Sequence, residues 1–236
     1  MNKYHFSTGA ALLGLILGPI AENGLRDLMV VSRGDPILYT LQRPLSIILL
    51  LLTSIIVFYS AKQFKWQKKN KKIINRLYTL KNTTKGLERS NQLGWHSGVN
   101  IQNYPECDEF NKHLKFTLGE IFTFYDYDPN FELDVHSFWG NINPKYGYNN
   151  THSHPHCLWS GVYYVQTPEN CGNIHFVDPV KPRIHYQAHF RNDKSILASS
   201  SIYYTAQASK LIIFPAYLEH FVKPNMSDTD RISLSF

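Results

Sequence analysis

The sequence THSHPHCLW places His152, His154 and His156 at alternate positions. On an extended strand, residues i and i+2 point to the same face. His152 and His154 can therefore aim two imidazoles at one point. Pro155 is expected to end regular pairing, which leaves His156 as a bystander. His220 follows the apolar run IIFPAYLE far downstream. In a closed β structure the two places can face each other across a mouth. Three imidazoles with open remaining positions suit a catalytic Fe(II), Zn(II) or Cu(II), and ligand softness alone does not choose among them.

Arg231 lies in DTDRISLSF, 11 residues after His220. Arg231 and Ser233 alternate on one strand face, so a guanidinium and a hydroxyl can hold one carboxylate together. The planar fork of arginine matches a carboxylate in two parallel hydrogen bonds. Tyr163 and Tyr164 precede the turn at Gly172, and one phenol, with Tyr164 as the candidate, can reach the same carboxylate. Trp139, Trp159, Phe176 and Tyr217 are candidate walls. His113, His136, His175, His185 and His189 have no partner at ligand spacing. Asp178, the nearest carboxylate in a motif, has the position of a turn residue.

The elements that must carry these residues are short. Asp134 to Asn141, Trp159 to Gln166, Gly172 to Val177, Ser201 to Thr205, Lys210 to Phe214 and Arg231 to Phe236 read as strands punctuated by Pro, Gly, Asn and Asp. Asp108 to Phe124 has helical apolar spacing at Phe110, Leu114, Leu118, Ile121 and Phe122. Many short strands behind one helix predict a mainly β, jelly-roll barrel whose mouth holds a ligand or metal. The polar stretch Asn141 to Thr151 reads equally as a mouth loop or as a plain connector.

The composition bounds the rest. The 236 residues are 43% hydrophobic and 14% aromatic, which excludes a disordered chain. Three cysteines exclude a disulfide scaffold. The net charge of +6 is outnumbered by one run: Lys62, Lys65, Lys68, Lys69, Lys71, Lys72 and Arg76, with no acid among them. Outside the run the chain is nearly neutral, which argues against nucleic acid. The run follows Leu45 to Ala61, 17 residues without a charge, near the lower length limit for a membrane span. Pro44 suits a first helical turn, and Tyr59 and Trp66 suit an interface. This predicts a membrane partner through an N-terminal hydrophobic helical segment. The positive-inside rule then gives an inner (cytoplasmic) membrane location with the C-terminal domain in the cytoplasm. The expected organisation is a membrane-like segment at 1–62, a basic and polar linker at 63–93 and a β domain at 94–236.

Two resemblances accompany these readings. Residues 9–61, with Gly18-Pro19 before Glu22-Asn23, the Gly34-Asp35-Pro36 turn and Arg43-Pro44, are similar to the C-terminal end of the large membrane subunit of tripartite tricarboxylate transporters. The helices of that family's substrate path are absent, so transport is not carried over. Residues 89–236 resemble a bacterial and phage family of 2-oxoglutarate- and Fe(II)-dependent oxygenases. That likeness rests on RSNQLGWHS (89–97), Trp139 and Asn141, the HSHP and LWSGVYYV stretches, GNIHFVDP (172–179), and FPAYLEHFVKPN through DRISLSF.

The second resemblance implies a double-stranded β-helix of jelly-roll or cupin-like kind, with Fe(II), 2-oxoglutarate and O₂. It implies His152, His154 and His220 as metal ligands, and Arg231 with Ser233 on the distal carboxylate of 2-oxoglutarate. The wider superfamily has a carboxylate where His154 stands, so a three-histidine site would be one charge more positive. The implied reaction is oxidative decarboxylation of 2-oxoglutarate to succinate and CO₂, coupled to hydroxylation of a substrate C–H bond. The alternative is a non-catalytic, membrane-anchored cupin-like barrel that binds a metal or ligand and needs no arginine socket.

Overall fold

The computed structural model describes residues 23, 24, 26–33, 35, 37, 42, 44–98, 100–180, 191 and 199–236. The chain divides into two compact units, Met1–Lys62 and Gln63–Phe236. The second unit carries the site. It contains the C-terminal half of helix α1 (Pro44–Thr83), helix α2 (Asp108–Phe124) and ten short strands. The α2 bounds are those expected from its apolar spacing.

The strands form two antiparallel five-stranded sheets. One has the order β1 (Asn91–Gln92), β4 (Tyr148–His152), β9 (His220–Val222), β6 (Ile174–Val177), β7 (Ser201–Tyr204). The other has the order β2 (Trp95–His96), β3 (Trp139–Asn143), β10 (Arg231–Ser235), β5 (Trp159–Gln166), β8 (Leu211–Pro215). Apart from the hydrogen-bonded neighbours β2–β3 and β6–β7, consecutive strands alternate between the sheets, as in a jelly roll. The 89–98 stretch adds a short strand to each sheet and so ties both edges.

Three expectations change. The stretch Asn141 to Thr151 is neither a mouth loop nor a plain connector. It is mostly β3 and β4, with only a tight turn between them, closed by Gly147 N–H donating to the Pro144 carbonyl at 2.8 Å. Its asparagines pair as strand residues because β1 and β9 flank β4 on both sides. The strand expected from Asp134 starts at Trp139, where pairing to β2 and β10 begins.

The segment 63–93 is also not a plain linker. Ile73 and Leu77 on α1 are each 1% exposed and pack into the core with Phe110, Leu114, Phe138, Tyr163 and Ile232. A Cβ at Gly140 would sit 2.4 Å from Leu77 Cδ2, so α1 seats closely because β3 has a glycine there. Asn70, buried on the same helix, donates to the Val165 carbonyl at 3.1 Å and accepts from the Tyr163 hydroxyl at 2.8 Å. Part of the basic run has a local use. Lys69 meets Glu109 and Arg76 meets Glu106, each at 2.9 Å.

Among the described residues, no helix is long and apolar enough to cross a membrane. The spanning reading of Leu45 to Ala61 gains no support, and several of its side chains, Tyr59 among them, lie outside the description. Residues 1–22, which carry much of the transporter likeness, also lie outside it, as do His185 and His189.

The packing of α1 is testable by chemical denaturation. Leu77→Ala is expected to cost about 2–5 kcal/mol, as buried leucine truncations do. Lys69→Ala, which removes a partly exposed ion pair, is expected to cost under about 1 kcal/mol. Equal effects would contradict the placement of α1 in the core.

Candidate metal centre and anion socket

His152 ends β4 and His220 opens β9, and the two are direct cross-strand partners. Their ring centroids lie 4.3 Å apart. His154 lies just past β4, where its backbone N–H donates to the Ala216 carbonyl at 2.9 Å. That bond turns its ring back to 5.1 Å from His152 and 5.2 Å from His220. One ligand atom from each of the three falls within 4.8 Å of the others. His156 has φ 67° and an exposed side chain, and it stays outside the cluster as expected.

Two tautomers are fixed by backbone. His152 Nδ1–H donates to the Asn150 carbonyl at 2.7 Å, and His220 Nδ1–H donates to the Leu218 carbonyl at 2.9 Å. Each leaves Nε2 with its lone pair free, the arrangement by which a carbonyl orients a metal-binding histidine. Ser90 Oγ lies 3.4 Å from His152 Nε2 and accepts from Asn149 Nδ2 at 3.1 Å.

Burial holds the centre neutral. Loss of hydration, followed by mutual repulsion, lowers His154 to about 4. His220 is also lowered to about 4, chiefly by burial. Burial lowers His152 in the same direction. A divalent ion competes with protons for these nitrogens, and above that range few protons compete. Among the described residues, no carboxylate joins the cluster.

The second sheet supplies the facing wall. On β10, Arg231 is 3% exposed. Its Nη1 donates to the carbonyls of Cys171 and Lys223, the latter at 2.9 Å. Gly172 has φ 82°, and a Cβ there would lie 2.3 Å from the Lys223 carbonyl and 2.9 Å from Arg231 Nη1. The turn therefore takes glycine for both its backbone angle and its closeness to the guanidinium. Arg231 Nη2 and the Tyr164 hydroxyl are both buried without a hydrogen-bond partner. Tyr164 and Ser233 are cross-strand partners on β5 and β10. Burial raises the Tyr164 phenol while the Arg231 charge pulls it back. Buried polar groups are nearly always paired, and a buried cation without an anion is costly. Two orphaned donors beside a serine hydroxyl form a candidate anion socket.

Both groups line one cavity of about 630 Å³, whose lining, among the described residues, holds Arg231 and Arg89 and no acidic side chain. The candidate walls divide. Trp139 lines this cavity and packs 5.8 Å from the His154 ring. Phe176 is buried against Phe214 and the His220 ring. Trp159 lines a neighbouring cavity instead. Tyr217 is 73% exposed and is no wall. His136 is exposed, His113 packs on Trp66 and His175 stacks on Phe221. Asp178 caps a turn by accepting from Val180 N–H at 2.9 Å.

Residue-type reasoning missed Ser90 and His96. Ser90 touches a candidate ligand, and His96 lines the cavity while stacking on Trp139 at 5.4 Å. Their place in the RSNQLGWHS stretch (89–97) was the available signal.

The neutral centre has a measurable consequence. Apparent Zn(II) affinity is expected to stay level as pH falls from about 8 toward 5, apart from effects on the metal itself. It should drop as pH passes through about 4, where the ring nitrogens protonate. Calorimetric titration across pH checks this, and a loss already centred on the ordinary histidine value near 6.5 would contradict it.

Comparison with known proteins agrees with this geometry. Residues 137–236 match the model of a family described as "Putative 2OG-Fe(II) oxygenase". The match leaves the 9–61 transporter likeness outside it. No curated protein matches the chain. Among solved structures, the chain is similar to a prolyl-4-hydroxylase from Pseudomonas putida, at 12% identity over 72% of this chain and 84% of that one, with a TM-score of 0.51. It is also similar to HygX from Streptomyces hygroscopicus, solved with nickel and 2-oxoglutarate bound, at 9% identity over 72% and 77%, with a TM-score of 0.49. The first likeness shows a shared fold. The stretch matched by that family's model, residues 137–236, holds His152, His154, His220, Arg231 and Ser233.

Proposed function

We propose that the chain is an Fe(II)- and 2-oxoglutarate-dependent dioxygenase in which His152, His154 and His220 hold the metal. Arg231, Ser233 and Tyr164 hold the distal carboxylate of 2-oxoglutarate. The observation that carries the reading is the pair of buried, unpartnered donors, Arg231 Nη2 and Tyr164 Oη, facing the same cavity as the three histidines.

The residues fit the groups they would bind. Three neutral nitrogen donors suit Fe(II) and leave positions open for a chelating keto acid and O₂. When bound, iron and 2-oxoglutarate supply oxidative decarboxylation to succinate and CO₂ and the oxidation of a substrate C–H bond. The chain's own contribution is orientation. The carbonyls of Asn150 and Leu218 keep two imidazoles facing inward. The carbonyls of Cys171 and Lys223 hold the guanidinium so that its remaining donors face the cavity. Fixing the keto acid at its far end sets the position of its reactive end. Trp139, Phe214 and Val162 line the cavity and limit water. A barrel that only bound a metal would have no use for a buried guanidinium with free donors.

Succinate release from 2-oxoglutarate, dependent on Fe(II) and O₂, tests the reading. His220→Ala is expected to abolish it. Arg231→Gln is expected to raise the KM for 2-oxoglutarate by roughly 10–100-fold, the loss of about 1.5–3 kcal/mol for a charged hydrogen bond. No succinate from the wild-type chain, or an unchanged KM in Arg231→Gln, would overturn it.

A further inference from the structure

A second cavity of about 390 Å³ opens beside the first, and His154 lines both. One wall is the chain from Glu132 to Ser137, and the opposite wall is the turn from Pro155 to Trp159. The floor includes Leu118 of α2 and Phe236. This groove thus runs to the one metal-site histidine that no strand pairing fixes.

The Glu132 to Ser137 segment is built like an edge strand without a neighbour. Its burial alternates: Leu133, Val135 and Ser137 are half-buried, while Glu132, Asp134 and His136 are exposed. Val135 N–H donates to its neighbour Asp134 Oδ1 at 2.8 Å. Among the described residues, no other main-chain hydrogen bond involves Glu132 to Ser137, and main-chain pairing resumes only at the Phe138 carbonyl. Unpaired donors and acceptors along an extended run are a template for another strand. Six residues span roughly 20 Å at about 3.3 Å each. Leu158, in the turn, is 64% exposed, and Phe131, which precedes the segment in sequence, is 72% exposed.

We propose that this groove docks a polypeptide substrate, held extended against Glu132 to Ser137 and delivering one of its side chains past His154 to the metal centre. The alternating backbone supplies hydrogen bonds. The apolar walls from Leu133, Val135, Leu158 and Trp159 select apolar side chains. The outward carboxylates of Glu132 and Asp134 select flanking lysine or arginine. This assignment rests on the oxygenase reading for its chemistry, in which one atom of O₂ enters the peptide C–H bond and the other enters succinate as 2-oxoglutarate loses CO₂.

The test uses the full chain and a degenerate pool of capped nonapeptides. With Ni(II) and 2-oxoglutarate, affinity selection should retain peptides that join apolar residues to lysine or arginine. With Fe(II), 2-oxoglutarate and O₂, retained peptides should gain one oxygen atom. Backbone N-methylation should abolish retention. Glu132→Lys/Asp134→Lys, two exposed positions, should reduce retention of basic peptides about five- to tenfold and leave peptide-independent succinate release unchanged. Absence of any retained peptide while succinate is still released would overturn the peptide assignment and leave the oxygenase reading intact. Equal retention of N-methylated peptides would overturn docking by strand addition. Retention without succinate release would support the docking surface and remove the oxygenase reading.

Discussion

A guanidinium in a closed barrel needs acceptors, and Arg231 has only part of what it needs. Two carbonyls take one nitrogen, while the other buried nitrogen and the Tyr164 hydroxyl beside it have no partner. Leaving a buried cation in that state costs several kcal/mol unless an anion completes it. The local architecture serves this one placement. Gly172 makes room, the β10–β5 ladder puts Ser233 against Tyr164, and α1 packs over the outer face of the same sheet through Leu77. On the proposed function, a carboxylate completes this arrangement.

The facing sheet solves the complementary problem. Three imidazoles close together repel once charged, and burial adds to that cost. Their basicities fall together, with His154 and His220 near 4, and the centre stays neutral at ordinary pH. Among the described residues, the cavity lining holds no acidic side chain. On the proposed function, the dianionic keto acid would supply negative charge to this neutral centre, which couples metal and co-substrate binding through charge as well as through geometry.

The sequence made the chemistry more legible than the scaffold. His152 and His154 stood out by alternation, and Arg231 and Ser233 by the same rule on another strand. The structure brings all four to one cavity. Alternation was nonetheless the wrong reason for His154, which lies beyond β4 and is aimed by its bond to Ala216. The helix α2 and strand β5 were readable because their apolar periodicity is local. β4 was not, because its YNNTH sequence is polar and its pairing with β1 and β9 is long-range. The 63–83 stretch was read through its charges. Its two deeply buried apolar residues, Ile73 and Leu77, are spaced one helical turn apart among lysines, too sparse a stripe to stand out. Ser90 and His96 were illegible for another reason, since single polar residues gain meaning only from what folds against them.

The central claim is that one cavity joins a three-histidine metal centre to an arginine socket for the same small molecule. Anaerobic titration of 2-oxoglutarate into the Fe(II)-loaded chain tests it most directly, through the visible charge-transfer band of a keto acid chelated to ferrous iron. The account predicts a saturable band in the wild type, none in His220→Ala, and a band in Arg231→Ala that needs far more 2-oxoglutarate to appear. An undiminished band at the same 2-oxoglutarate concentration in both variants would contradict it.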